Sequence, residues 1–209
     1  MDFCSYLSEI NNIDVQCKLA DGYENVGYIV PRSYVDFASI QYGYSEGGEQ
    51  VYPETVVTQM ALKSGKKGYY IAQLKDAFSG TNTALATGDF KNKFTQTVAF
   101  KIFGNGPETS KIVNGLSNGE FVVILEQKEK GTAGESAFRI FGLTNGLTAT
   151  ETSNDAYDES LGNGWSVQLE EAGADSSAYY LFVTAGQGQA PSAEATQAAI
   201  TAMFDTPTE

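Results

Sequence analysis

Asn-Gly occurs five times between residues 105 and 164, at 105–106, 114–115, 118–119, 145–146 and 163–164. It is the dipeptide that best tolerates the positive φ angles of a tight hairpin turn. Such a density predicts a chain that turns back on itself repeatedly, and the intervening segments carry strand patterns. In FTQTVAFKIF, residues 94–103, Phe94, Val98, Phe100 and Ile102 share one face while Thr95, Thr97 and Lys101 take the other. That is the period-2 signature of a half-buried strand. FVVILE, residues 121–126, is continuously apolar, which suits a central strand covered on both faces.

Seven further strands are expected, at 25–30, 33–42, 55–62, 68–75, 136–143, 165–171 and 178–185. The composition agrees: 22 Gly against 5 Pro, with 12 Tyr and 12 Phe, favours many turns between β-strands over long helices. Two helices interrupt the pattern. PETSKIVNGLSNG, from Pro107 to Gly119, has Thr109 or Ser110 as N-cap and Ile112, Val113 and Leu116 at helical spacing. PSAEATQAAITAMF, residues 191–204, has Ser192 as cap, Glu194 in the first turn, and a stripe through Ile200, Met203 and Phe204 that reads as core packing. A third, short helix is expected over Phe3 to Ile10. Residues 43–54 and 76–93 read as long irregular loops, a kind that in compact domains is usually functional or disordered.

At 209 residues the chain suits one domain with a substantial core. The expected fold is mainly β: a β-sandwich or partly closed barrel over 1–190, with one short helix between strands, and a C-terminal helix and tail, 191–209, packed on it. The N-terminus has an acid at position 2 and neither a basic region nor an apolar run, unlike a secretory signal. No stretch approaches the roughly 18 apolar residues of a membrane span. The expected site of folding is the cytoplasm of the synthesising cell, where Cys4 and Cys17 read as buried thiols.

The chain contains no histidine. That removes the Ser-His-Asp and Cys-His nucleophile systems, His-rich metal sites and the commonest general base near neutral pH. No catalytic, cofactor-binding or metal-binding residue is predicted. The carboxylates Glu151, Asp155, Asp158 and Glu159 lack the alternating order of a calcium loop and read as a solvated acidic segment. KSGKKG, residues 63–68, lacks the glycine spacing of a phosphate loop and reads as a turn flanked by lysines. The tyrosines of the first third read as core or interface packing, with a carbohydrate platform as the rival.

Charge is uneven. The net charge is −13, from 13 basic and 26 acidic residues, and the last basic residue is Arg139. Residues 140–209 hold ten acids and no lysine or arginine, so some surface of the protein must be strongly negative.

The order of elements from residue 94 is a strand, a short helix (TSKIVNGLSNG), a buried strand (FVVILEQKEKG), a strand closing on Phe-Gly-Leu (SAFRIFGLTNGLTAT), then GWSVQLEEAG and AYYLFV. This series, with the Cys4 to Cys17 segment and the extended GYIVPRSYVDF, resembles the tail-tube-like virion proteins of phages of Bacteroides-type hosts. More loosely it is similar to the ring-forming tube proteins of long-tailed phages and type VI secretion. The C-terminal helix does not map onto that pattern.

The resemblance implies a virion structural protein, assembled in the bacterial host cytoplasm, with no enzymatic activity and no membrane partner. Edge strands would pair between subunits into a ring, commonly a hexamer, and stacked rings would form a tube. The 76–93 loop, carrying Phe78, Leu85 and Phe90 as subunit-interface candidates, would reach the next ring. Acidity would keep transiently contacting DNA from sticking to a lumen, since a basic wall holds phosphates by counterion release. The partners implied are further copies of the chain and other virion proteins. The alternatives are a capsid-decorating or neck protein, and a carbohydrate-binding β-sandwich.

Overall fold

The computed structural model describes residues 22–73, 78–89, 91–159, 161–186 and 188–205. Its elements are β1 (Tyr23–Pro31), β2 (Gln41–Glu46), β3 (Glu49–Gln59), β4 (Gly68–Ala72), β5 (Asn82–Ala86), β6 (Lys93–Ile102), α1 (Pro107–Ser117), β7 (Phe121–Gln127), β8 (Phe138–Phe141), β9 (Thr148–Ser153), β10 (Trp165–Ala174), β11 (Tyr179–Leu181), α2 (Ala193–Met203) and β12 (Phe204–Asp205). The fold is mainly β, as expected. Eight strands form one sheet in the order β12-β4-β1-β7-β8-β11-β3-β2, four form a second in the order β5-β6-β10-β9, and neither closes into a barrel.

The larger sheet is the middle layer, and the apolar run in β7 explains why. Val122 and Ile124 belong to one core cluster, with Tyr28, Val30, Ile140, Leu181 and, from the C-terminal helix, Ile200 and Met203. Phe121, Val123 and Leu125 belong to the other, with Ile29 and Phe141 of the same sheet and Val98, Phe100, Val167 and Leu169 of the smaller one. A strand buried on both faces needs no polar residue until it leaves the core, and here the first is Glu126, which is partly exposed.

α2 begins as expected: Ser192 accepts the Ala195 N–H at 3.2 Å, and Glu194 lies in the first turn. Thr196 then locks the helix to the strand layer. Its hydroxyl donates to the Ser192 carbonyl at 2.8 Å and accepts the Val183 N–H at 2.9 Å, in a fully buried position. The helix stops one residue short of the expected end, because Phe204 is extended and pairs in parallel with Gly68.

Other expectations are corrected. α1 is capped by Gly106, with Pro107 at the first helical position, and not by Thr109 or Ser110; proline suits that place because its missing N–H has no intrahelical partner there anyway. Residues 33–42 do not form one strand. Two 3-10 turns, Arg32–Tyr34 and Phe37–Ser39, interrupt them, and Asp36 stabilises the second by accepting the Ala38 N–H. Such a side chain competes with the ladder for backbone donors. The supposed loops at 43–54 and 76–93 contain strands: the first is most of a β2–β3 hairpin turning at Gly47 and Gly48, and the second holds β5. The Asn-Gly pairs serve mostly elsewhere. Asn114-Gly115 lies inside α1, 105–106 and 118–119 flank it, and 145–146 carries the chain between sheets; only 163–164 lies in a loop joining antiparallel neighbours, β9 and β10. Cys4, Cys17, the expected helix at 3–10 and the tail 206–209 lie outside the described residues.

Candidate functional site

The three residues expected at a subunit contact separate. Phe78 is buried, held at φ +55° with its ring against β1; a Cβ on Gly27 would stand 2.6 Å from its Cζ. Leu85 is 57% exposed on β5, the edge strand of the smaller sheet. Phe90 lies outside the described residues. β5 pairs with β6 alone, from Asn82↔Thr97 to Ala86↔Lys93, so its outer edge has no strand beside it among the described residues.

A second open edge was unforeseen from sequence. β2 is the last strand of the larger sheet, and from Glu49 to Thr55 β3 has β2 on one side and no described strand on the other. No residue of the two strands is buried between Gln41 and Thr55. The hairpin is therefore thinly covered over that stretch, and Tyr42 and Val51 are 45% and 49% exposed. It is bent at Gly43, where φ is +67° and the register slips; Thr58 Oγ1 donates toward the Gly43 carbonyl at 3.0 Å. The ring of Tyr52 meets Phe182 edge-on at 5.3 Å and Tyr42 leans on Tyr179 at 5.5 Å, fixing one end of the hairpin to the core. Residues 41–59 carry Glu46, Glu49 and Glu54 and no lysine or arginine.

The acids of the last third do not act as one group. Asp175, exposed, is bridged by Lys91 at 2.9 Å and by Lys93, and the two ammonium groups hold its carboxyl down to about 2. Glu171 is 1% exposed. Burial pushes its carboxyl above the usual range, against the opposing effects of the Asn145, Gly142 and Thr144 amides and of Arg32. One oxygen accepts the Asn145 N–H and the other has no hydrogen-bond partner. From the position opposite Glu171 on antiparallel β6, Gln96 accepts the Gly142 N–H at 3.1 Å. Glu171 and Gln96 thus hold the 142–146 turn, where the chain leaves the larger sheet for the smaller one. Among the described residues what remains at the surface is Glu151 on β9, Asp155, Asp158 and Glu159 in the loop that follows, Glu170 on β10 and Glu194 on α2.

Among the described residues no group of three ligating side chains gathers to hold a metal ion, and no helix is long and apolar enough to cross a membrane. The tyrosines pack: Tyr28 lies against Tyr70 and Phe204 at 5.7 and 5.0 Å. The indole N–H of Trp165 is buried without a partner and so is not offered to a ligand at the surface. The geometry defines a two-sheet β protein whose exposed large apolar side chains are spread over the β9–β10 loop (Tyr157), β4 (Tyr69), the β5 edge (Leu85), α1 (Ile112) and the hairpin (Val51, Tyr42). Compared with known protein families, with curated proteins and with solved structures, the chain matches none.

Proposed function

We propose that this protein is a non-enzymatic virion structural protein of the tail-tube type, which self-assembles into rings or a tube that conducts DNA. The observation that carries the reading is the β2–β3 hairpin, in which no residue from Gln41 to Thr55 is buried although Tyr42 and Tyr52 rest on Tyr179 and Phe182. A two-stranded hairpin with so little of its surface covered is marginal in water and gains from a partner. Open edges at β2, β5 and β9 supply further unpaired backbone, and a closed ring of copies satisfies edges that a monomer leaves free.

The acidic surface supports the same reading. Glu151, Asp155, Asp158 and Glu170 cluster in sequence on β9, β10 and their connection, and a wall of carboxylates repels phosphates and lets DNA slide. In this reading the partners are further copies and other virion proteins, and the contact with DNA is transient and non-specific. A decorating or neck protein would use the same edges with a different stoichiometry.

Electron microscopy of the purified full chain, with mass measurement, tests the proposal. Rings or tubes of uniform diameter are expected. A strict monomer at high concentration that binds glycans would overturn it.

A further inference from the structure

The turn at residues 63–67 carries three lysines in a chain whose net charge is −13. The structure makes it one wall of an open pocket of about 700 Å3, with Met60, Leu62, Ala199 and Met203 as the floor. These side chains belong to the core between α2 and the larger sheet or pack against it. The floor is therefore apolar, and its methionines reshape readily around an inserted group. The turn is fixed at its base: the Lys63 N–H donates to the Tyr34 carbonyl at 2.8 Å and the Lys66 N–H to the Lys63 carbonyl at 3.0 Å. Lys63 Nζ donates to the Ser33 carbonyl at 2.7 Å, and Lys66 Nζ lies 4.7 Å from the centre of the Tyr34 ring. Neither ammonium group meets a carboxylate among the described residues.

The loop joining β9 and β10 presents the complement. Tyr157 at its tip is 94% exposed, and Asp155 and Glu159, both exposed, flank it. The loop is held from below: Asp155 Oδ1 accepts the Tyr157 N–H at 2.9 Å, and Asn154 Nδ2 donates to the Gly164 carbonyl at 2.6 Å. An aromatic ring presented to water on a fixed turn is the kind of side chain that anchors an interface, because it offers a large apolar area with a polar tip. We propose that Tyr157 of one copy enters the 60–67 pocket of the next, with Asp155 and Glu159 set against Lys63 and Lys66. The pocket opens beside α2 on one face of the larger sheet, and β9 and β10 pack on the other face. A copy therefore cannot fill its own pocket, and head-to-tail contacts of this kind close into rings or run on as filaments. The opposite charges fix the register of the contact. The inference rests on the self-assembly reading and names two surfaces that it uses.

The test uses the full chain with Tyr157→benzoylphenylalanine, irradiated under conditions in which the parent assembles, followed by mass spectrometry of the digested product. The expected product has dimer mass and joins the 155–159 loop to the Met60–Lys63 segment or to α2. Assembly without that link, or links only to other segments, overturns the inference and leaves self-assembly standing, whereas a parent that stays monomeric overturns both. Exposed positions supply a second measurement: Lys66→Glu, and Ala202→Trp at the pocket's α2 wall. Each should weaken self-association about tenfold in sedimentation velocity while the melting temperature holds, and Lys66→Glu combined with Glu159→Lys should recover most of the loss. Unchanged association in both single variants sinks the proposal. A Lys66→Glu protein that assembles like the parent but loses affinity for duplex DNA would assign the lysines to phosphate instead.

Discussion

The side chain of Gln73 serves Lys101 as a strand would: its Nε2 donates to the Lys101 carbonyl at 2.7 Å and its Oε1 accepts the Lys101 N–H at 3.0 Å. This pair ties the end of β4, in the larger sheet, to the edge of β6, in the smaller one. Two residues earlier the hydroxyl of Thr81 does similar work, accepting the Ala99 N–H at 3.1 Å. Side chains thus cap the part of β6 that β5 is too short to cover.

Gln73→Met keeps the length of the side chain and removes both bonds, leaving a backbone donor and acceptor at a half-buried seam. The expected loss is about 2 kcal/mol, measured by urea unfolding. Gln73→Glu restores the acceptor but not the donor, and should fall between the two. Equal stability of all three proteins would show that water replaces the amide without cost.

Gly142 sits at φ +78°, and a Cβ there would lie 2.6 Å from the Phe121 carbonyl oxygen and 2.9 Å from the Leu147 amide nitrogen. Backbone cannot yield as a side chain does, so Gly142→Ala should cost more than about 3 kcal/mol, strain and clash together. Gly47 has φ +61° and nothing within 4 Å; Gly47→Ala isolates the conformational part and should cost about 1 kcal/mol. Calorimetry of the two variants distinguishes them.

Glu171 makes stability fall as pH rises. Its carboxyl is raised in the folded protein, so the native state keeps a proton that the unfolded chain has released. Its contribution is fully present below the unfolded value, about 4.3, and is lost as pH climbs through the higher folded one. Glu171→Gln removes that dependence. The stability of the variant relative to the parent should rise from pH 4 to pH 7 in urea titrations, and a constant difference would reject the assignment.

Asp175 acts in the opposite sense. Lys93 and Lys91 hold its carboxyl down to about 2, so what it contributes is present above the unfolded value and disappears as pH falls toward 2. Because all three side chains are well exposed, the effect is small and screened by salt. In Asp175→Asn the acid limb of the stability profile should lose its sensitivity to added sodium chloride at this site.

Val51→Asp and Leu85→Asp change side chains that are about half exposed, at the hairpin and at the β5 edge. Monomer stability should change by less than about 0.5 kcal/mol, whereas a charge placed in a buried subunit contact blocks assembly. Sedimentation velocity on the full chain should show parent assemblies shifted to monomer in at least one variant. Hydrogen exchange of β5 and the hairpin should slow on assembly of the parent alone.

Most of the strands were legible because their side chains face a core and so alternate: Val98 and Phe100 on β6 and Val167 and Leu169 on β10 are all buried between the sheets. β5 and the outer half of the hairpin were not. TNTALAT and GYSEGGEQVYPE have no buried face to impose a period, and they are strands because neighbours offer them ladder partners. For the same reason Phe78 reads as loop and is core, while the hairpin at 43–54 reads as irregular and is two strands.

Local chemistry determined what local chemistry governs. The both-faced burial of 121–126, the Ser192 cap, the balance toward β structure and the acidity of the last third all follow from side chains a few residues apart. The tertiary structure alone decided the rest: that Phe204 pairs with Gly68, that β11 lies parallel to β3, that Glu171 is buried and Asp175 paired, and that the larger sheet lies between two cores. Those outcomes depend on contacts between residues distant in the chain. Five Asn-Gly pairs permit turns, but pairing between strands decides which of them become hairpins.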